Sequence, residues 1–439
     1  MQPMRYAVRV QSTLLIDFER RALIADITAS DELDAHLAGG SRTAYVGFDP
    51  TADSLHVGSL LPLLALRRLQ LAGHRPIVLV GGGTGLIGDP SGKAGERALN
   101  PKDRVAECAE RLKAQVRPFL DFDRGPQAAL LVDNYSWLSQ LDVIGFLRDV
   151  GKHFPIGAML ARESVKARMG AGISYTEFSY QVLQAYDFMS LSMLHDCTLQ
   201  LGGSDQWGNI TAGVELIRRV HARPAYGLTL PLVTKADGTK FGKTESGNIW
   251  LDSRKTSAYE MYQFWVNTAD ADAVRFLRYF TFLSHDRIAE LERATQGAPD
   301  KREAQRALAQ EVTALVHGET GVRQAEAISS ALFSGDIASL DESQLAQAAR
   351  GMPTSQLRAE ELSDLAWSDL LVRVGLADSK RNARELIASG AVQLNGRRLD
   401  PATTPGSRES ALSGKYLILR KGKKTYHAVE VAENFPPSA

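Results

Sequence analysis

The chain has 439 residues, too many for one ordinary core, so two or three domains are expected. Lys+Arg and Asp+Glu both number 51, so net charge carries no nucleic-acid signal and any polyanion site must come from local clustering. Cys108 and Cys197 lie far apart with no second Cys or His at metal-ligand spacing, which leaves no disulfide framework or zinc motif and reads as buried thiols in a reducing compartment. No apolar run approaches the roughly 20 residues of a membrane span. Met1 to Ser12 lacks the apolar core of a signal peptide. A cytoplasmic globular protein is the expectation.

Ala44–Phe48 reads as a short buried strand that ends at Asp49-Pro50-Thr51. Val57 to Ala72 has apolar residues at helical spacing and stops at Gly73. Pro76–Val80 is an apolar strand followed by three glycines. Strand, helix and strand within about 40 residues form a βαβ unit and imply a parallel sheet. The alternation continues with helix over Pro101–Phe119, strand over Ala129–Val132 and helix over Val143–Val150. Helix follows over Thr176–Met189, strand over Thr198–Leu201 and helix over Gln206–Val220. The expected fold class is α/β, a doubly wound, Rossmann-like catalytic domain spanning 1–254. Residues 255–349 are rich in Ala, Glu, Gln and Leu at helical spacing and read as an α-helical domain. Gly351, Pro353, Thr354 and Ser355 suggest a linker over 350–367. From Ser368 basic residues outnumber acidic ones, so the neutral total conceals a basic C-terminal module, 368–439, suited to phosphates.

Two motifs carry the chemistry. The first is Asp49-Pro50-Thr51-Ala52-Asp53-Ser54-Leu55-His56-Val57-Gly58-Ser59, at the junction of the first strand and first helix. Ligands in open α/β sheets bind at the carboxyl ends of strands, where a helix N-terminus offers free N–H groups to an anion. His56 would lie beside that anion, and Gly58 would let a ribose or phosphate approach the backbone. The second is Lys240-Phe241-Gly242-Lys243-Thr244, preceded by Lys235, a polar, Gly-containing loop bearing positive charge. A fixed anion site plus a distant cationic loop can handle a triphosphate, because the departing pyrophosphate gathers charge in the transition state.

These motifs resemble the two signatures of class I aminoacyl-tRNA synthetases, the second in the form found in bacterial tyrosyl enzymes. Further blocks share the resemblance: Tyr45-Val46-Gly47-Phe48-Asp49, Gly85 to Lys93, Phe178-Ser179-Tyr180, Gln184-Ala185-Tyr186-Asp187 and Gly202 to Trp207. The resemblance implies a tyrosine–tRNA ligase that forms tyrosyl-adenylate from L-tyrosine and ATP, with Mg²⁺ accompanying the ATP, and then charges tRNA(Tyr). Tyr45 and Asp187 would bind the substrate phenol, and Asp89, Tyr180 and Gln184 its α-ammonium. Asn134 and Gln206 would lie near the carboxylate and adenylate side. Gly47, Asp49, Gly58, Ser59, Gly203 and Asp205 would face the nucleotide. Thr51, His56, Lys93, Arg97, Lys240, Lys243 and Thr244 would stabilise the polyphosphate. A homodimer is implied, and no protein-bound metal or organic cofactor. A site built for a buried hydroxyl rejects phenylalanine by leaving its own polar groups unpaired, a principle for which tyrosyl enzymes are the standing example.

The C-terminal stretch Ala377 to Ile387, then Gly390 to Gly396, resembles the RNA-binding module of small-subunit ribosomal protein S-four, with Lys380, Arg381 and Arg384 set to meet tRNA phosphates. Two positions depart from the family pattern. Ser59 replaces the second signature His, and Pro62 lies early in the following helix, where it shifts or bends the helix start unless it falls in the first turn. Rival readings are weaker. Gly83-Thr84-Gly85-Leu86-Ile87-Gly88 fits a dinucleotide fingerprint, but Asp89-Pro90-Ser91-Gly92 breaks the helix that it should open. A Walker A loop fails because Ile87 stands where a glycine is required. A tryptophanyl enzyme has no use for Tyr45 and Asp187, since indole lacks a phenolic oxygen. A non-catalytic RNA-binding scaffold need not have retained His56, Lys240 and Lys243.

Overall fold

The computed structural model describes residues 12–91, 99–123, 125–170, 172–239, 241–244, 247–363, 365–402, 405, 410–422 and 425–432. Contacts divide the chain into two compact units, Met1–Asp252 with Ala269–Ala304, and Ser253–Thr268 with Gln305–Ala439. Residues 269–304 are helical, as their sequence texture suggests, yet their contacts fall within the unit that contains the parallel sheet.

The first unit is built on six strands: β1 (Asp26–Ile27), β2 (Thr43–Phe48), β3 (Arg75–Val80), β4 (Leu130–Asp133), β5 (Cys197–Gly203) and β6 (Tyr226–Leu230). Their order is β1-β6-β5-β2-β3-β4, parallel except for the short antiparallel edge strand β1. The chain first moves outward from β2 through β3 to β4, then returns to the other side of β2 for β5 and β6. The switch between β2 and β5 opens a crevice above their carboxyl ends. Parallel strands covered on both faces need apolar residues at successive positions, which Ile77, Val78, Leu79 and Val80 supply. Tyr45, Ile77, Leu79, Phe188, Leu191, Cys197 and Ile217 form one core cluster.

Four helices frame the crevice: α1 (Leu60–Leu71), α2 (Lys102–Val116), α3 (Tyr175–His195) and α4 (Trp207–His221). A 3₁₀ turn, Val57–Ser59, precedes α1, so the helix starts three residues later than its periodicity suggests. Pro62 falls in the first turn, where a missing N–H leaves no intrahelical bond unmade. Thr84–Leu86 is likewise a 3₁₀ turn and opens no helix, which removes the dinucleotide reading of Gly83 to Gly88. Phe146–Val150, expected as α-helix, is wound as a π segment.

In the second unit, β9 (Thr354–Arg358), β10 (Val392–Leu394), β11 (Arg397–Arg398), β12 (Tyr416–Lys421) and β13 (Thr425–Ala432) form a sheet in the order β11-β10-β12-β13-β9; the separate hairpin strands of the first unit, Lys243–Thr244 and Gly247–Asn248, lie outside it. The linker expected over 350–367 is not seen as such. Thr354–Arg358 is an edge strand parallel to β13, and Leu357, Leu362 and Trp367 join the core of the C-terminal sheet. The Gly, Pro and Ser residues that suggest a linker mark only the turn into that strand. Helix Glu303–Ser334 is broken at Gly318, whose backbone is non-helical.

Arg168 and Glu177 pair at 2.9 Å with each side chain only 2% exposed, tying helix Glu163–Met169 to the first turn of α3. Removing one partner strands a buried charge. Arg168→Ala is expected to cost about 3–5 kcal/mol in urea unfolding, and Arg168→Met combined with Glu177→Leu to recover most of it.

Candidate active site

The crevice is lined by the ends of β2 and β5, the turn after β3 and one face of α3. Gly47 is the exposed position of a strand whose other residues are buried or nearly so, which leaves a stretch of β2 backbone open to a ligand. Behind it Tyr45 is 1% exposed, packs its ring against Phe188 with centroids 5.3 Å apart, and has no hydrogen-bond partner for its hydroxyl among the described residues. A buried hydroxyl in that state costs about 1–3 kcal/mol until something pairs with it. Burial, and after it the charge of Asp187, raises the Tyr45 hydroxyl well above the ordinary phenol value.

Asp187 projects from α3 into the same buried region. Its Oδ2 accepts from Asn134 Nδ2 at 2.8 Å and its Oδ1 from Trp137 Nε1 at 2.7 Å. Burial pushes its carboxyl up to about 8, against the lowering effect of those two donors. Asn134, expected with Gln206 near the carboxylate and adenylate side, is fully buried and bonded to Asp187. It accepts from the Gly83 amide at 2.7 Å and donates to Thr84 Oγ1 at 2.9 Å, as well as to Asp187. It therefore fixes the carboxylate to the turn after β3. Thr84 passes the order on by donating to Asp49 Oδ1 at 2.7 Å, while Tyr180 donates to Asp49 Oδ2 at 2.8 Å. Burial and Asp49 together raise the Tyr180 hydroxyl well above its ordinary value.

A second chain of amides runs along the rim. Gln206 Nε2 donates to Asp89 Oδ2 at 2.7 Å, and Gln184 Nε2 to Gln206 Oε1 at 3.2 Å. Asn209 donates to both Gln184 and Gln206. Gly203 and Asp205 sit at the turn after β5. The charges of Asp49, Asp89 and Asp187 all act on the Tyr180 hydroxyl, so these three carboxyl groups gather around one crevice. Thr84, Trp137 and Asn209 carry this network without having been legible in the sequence. Trp137 lies on a short helix with no motif around it, Asn209 lies just beyond the Gly202 to Trp207 block, and Thr84 sits inside the glycine run that mimics a dinucleotide fingerprint.

The side expected to face an anion lies at the signature turn. His56 is exposed, and its Nδ1 accepts from the Gly58 amide at 3.0 Å, capping the 3₁₀ turn. A Cβ on Gly58 would lie 2.7 Å from the imidazole, so glycine here makes room for the His56 ring. Ser59 makes no side-chain cap to α1. Thr51 is exposed at the end of β2. Lys243–Thr244 and Gly247–Asn248 form a two-stranded ladder, β7 and β8 in chain order, beside this turn. The Ile249 amide donates to the Gly242 carbonyl at 3.0 Å, and the Ile249 carbonyl accepts from the Val57 amide at 2.9 Å. Gly242 has φ +80°, and a Cβ there would meet Val57 Cγ2 at 3.0 Å. The two signature segments, nearly 190 residues apart, are therefore separated by one intervening strand. The expected roles of Lys93, Arg97 and Lys240 fall outside the described residues, as do those of the Lys243 and Thr244 side chains.

In the second unit, Ser379 caps helix Lys380–Ala388 by accepting from the Asn382 amide at 3.2 Å. Lys380 pairs with Asp369 at 2.5 Å and Arg381 with Glu385 at 3.0 Å, and Arg384 is exposed on the same helix.

Comparison with known proteins agrees with this geometry. Residues 38–334 match the family described as tRNA synthetases class I (W and Y), and residues 344–429 match the tyrosine–tRNA ligase SYY-like C-terminal domain. The tyrosine–tRNA ligase of Geobacillus kaustophilus is 54% identical over 420 residues, 95% of this chain and 100% of that protein. The tyrosine–tRNA ligase of Aliivibrio fischeri is 54% identical over 418 residues, 94% of this chain and 97% of that protein. Among solved structures, a C-terminally truncated mitochondrial tyrosyl-tRNA synthetase from Aspergillus nidulans superposes with a TM-score of 0.66 at 31% identity, covering 73% of this chain and 94% of that one. With its switch-point crevice and paired signature segments, the chain belongs to the tyrosyl-tRNA synthetases of the class I aminoacyl-tRNA synthetase family.

Proposed function

We propose that the chain activates L-tyrosine with ATP, releasing pyrophosphate, and transfers the tyrosyl group to tRNA(Tyr). The observation that carries this reading is the backbone tie through Ile249, which brings the chain at Gly242 and Lys243 against the His56 turn. The substrate carboxylate attacks the α-phosphate, so the protein need supply no nucleophile; its contributions are position and charge stabilisation. In this reading the phenol of tyrosine enters between Tyr45 and Asp187, its hydroxyl satisfying the unpaired Tyr45 oxygen. The ammonium lies toward Asp89, Tyr180 and Gln184, and the nucleotide along Gly47, Asp49, Gly203 and Asp205. Thr51, His56, Lys93, Arg97, Lys240, Lys243 and Thr244 face the phosphates, and Mg²⁺ arrives on the triphosphate oxygens. Lys380, Arg381 and Arg384 meet tRNA phosphates, and a cytoplasmic site of action belongs to the same reading. A homodimer belongs to the same reading, supported by exposed Val143, Ile144, Ile156 and Tyr175 within one stretch of the first unit.

The deciding measurement is tyrosine-dependent exchange of pyrophosphate into ATP. Lys243→Ala is expected to slow it by about 100-fold or more while tyrosine affinity without ATP changes by less than about twofold. Exchange driven by tryptophan alone, or an equal loss of binding and rate, would overturn the assignment. Deleting the chain from Thr354 onward removes the C-terminal sheet as a whole. Exchange should persist, while charging of tRNA falls on the order of 100-fold.

Asp187 also predicts a pH dependence. Its folded value, about 8, stands above the ordinary 3.8, so the folded state holds this proton more tightly than the unfolded chain does. Its contribution to stability is full below about pH 4, declines as pH climbs toward about 8 and is level above that. Thermal melting between pH 4.5 and 9 should show the native chain losing stability relative to Asp187→Asn as pH rises. A gap that stays constant over that range would contradict the burial argument.

A further inference from the structure

The segment leading into the lysine motif is held by α5 (Asp270–Phe280), a helix to which sequence reading assigns no role. Asp272 is 3% exposed, and both its carboxylate oxygens accept from the Ala236 amide, at 3.1 and 3.0 Å. Arg275 pairs with that carboxylate and also donates through Nη2 to the Thr234 carbonyl at 2.5 Å. One turn further along α5, Phe276 and Phe280 receive Phe241 of the motif itself. Phe241 stacks on Phe280 with centroids 5.4 Å apart and meets Phe276 edge-on at 5.1 Å. The stretch between these anchors is braced locally. The Lys235 amide donates to the Thr239 carbonyl at 3.2 Å, and Asp237 accepts from the Thr239 amide at 2.8 Å.

The same helix therefore grips the chain before and after the turn at Asp237–Gly238. Immediately after the second grip, Gly242 is bonded to Ile249 and so to Val57 beside His56. A buried carboxylate that serves one backbone amide and one arginine is a costly way to hold an ordinary surface loop, because its desolvation must be offset by the bonds it makes. We propose that Asp272 and Arg275 are positioning residues for adenylate formation. They set the height of the Thr234–Ala236 stem over α5, while the Phe241 stack sets the far end, so that the motif meets the signature turn in register. This rests on the proposed function, in which the motif faces the pyrophosphate. The two residues touch no substrate. Their effect is on the geometry reached during the chemical step, not on the tyrosine pocket.

The test uses the full-length protein with Asp272→Ala, Asp272→Asn and Arg275→Gln, and with Asp270→Asn as a control carboxylate on the same helix. Single-turnover formation of tyrosyl-adenylate should slow about 10- to 100-fold for Asp272→Ala and for Arg275→Gln. Tyrosine affinity without ATP should stay within about twofold. Asp272→Asn, whose side-chain oxygen can still accept from the Ala236 amide, should recover part of the rate, and Asp270→Asn should match the native protein. Tryptic cleavage between Thr234 and Thr244 should quicken in Asp272→Ala, a readout that needs no catalysis. If Asp272→Ala does not fold, Arg275→Gln carries the same comparison. Native rate and native cleavage in a folded variant would overturn the proposal while leaving the assigned activity standing. Absence of tyrosine-dependent exchange in the native protein would instead overturn the function on which it rests.

Discussion

Two hydrogen bonds at Ile249, one to Gly242 and one from Val57, are the constraint on which the reading of this molecule turns. They are main-chain bonds, so they hold whatever the neighbouring side chains do. They place two motifs far apart in sequence on either side of the segment at Ile249, which bonds to both. The geometry works only because Gly242 adopts a left-handed conformation and carries no Cβ against Val57. On the opposite side the signature turn is held by α2. Gln115 accepts from the Leu55 amide at 2.9 Å and donates to Ser54. His56 thus projects from a turn braced on both flanks.

Behind that surface lies a different kind of chemistry. The crevice at the β2–β5 switch concentrates carboxylates, and their order comes from neutral donors: Asn134, Trp137, Thr84 and Tyr180. Neutral donors orient these carboxyl groups through hydrogen bonds. They also leave Asp187 with its raised proton affinity, since two hydrogen bonds only partly offset complete burial. In the proposed function the amino acid's ammonium lies at the carboxyl-rich end of the crevice and the triphosphate at the end marked by the helix N-terminus and the lysine motif.

The strands and helices of the α/β unit were legible because their signals are local. Apolar runs bounded by glycine mark β2 and β3, and helical periodicity marks α2 and α4. Errors arose where tertiary contacts decide. Ser355 and Pro353 look like linker residues, but Thr354–Arg358 gains its strand character by pairing with β13, some 70 residues later. Asn134 is expected in the site from the family resemblance, but its bond to Asp187 joins residues 53 apart in the chain, which no local pattern shows. Residues 269–304 look like the helices that follow them, yet their contacts fall within the unit that contains the parallel sheet.

By itself the sequence determined the family, the α/β class, the chemical type of each motif and the basic character of the C-terminal module. These follow from residue identity and spacing along the chain, which no folding step changes. Only the tertiary structure decided which groups meet. It joined Tyr180 to Asp49, Gln206 to Asp89 and Gly242 to Val57 by way of Ile249, and it set α5 under the lysine motif. Each of these pairings closes a long loop of chain. The free energy for that closure comes from the packed sheet and its helices, so no local pattern of residues records the outcome.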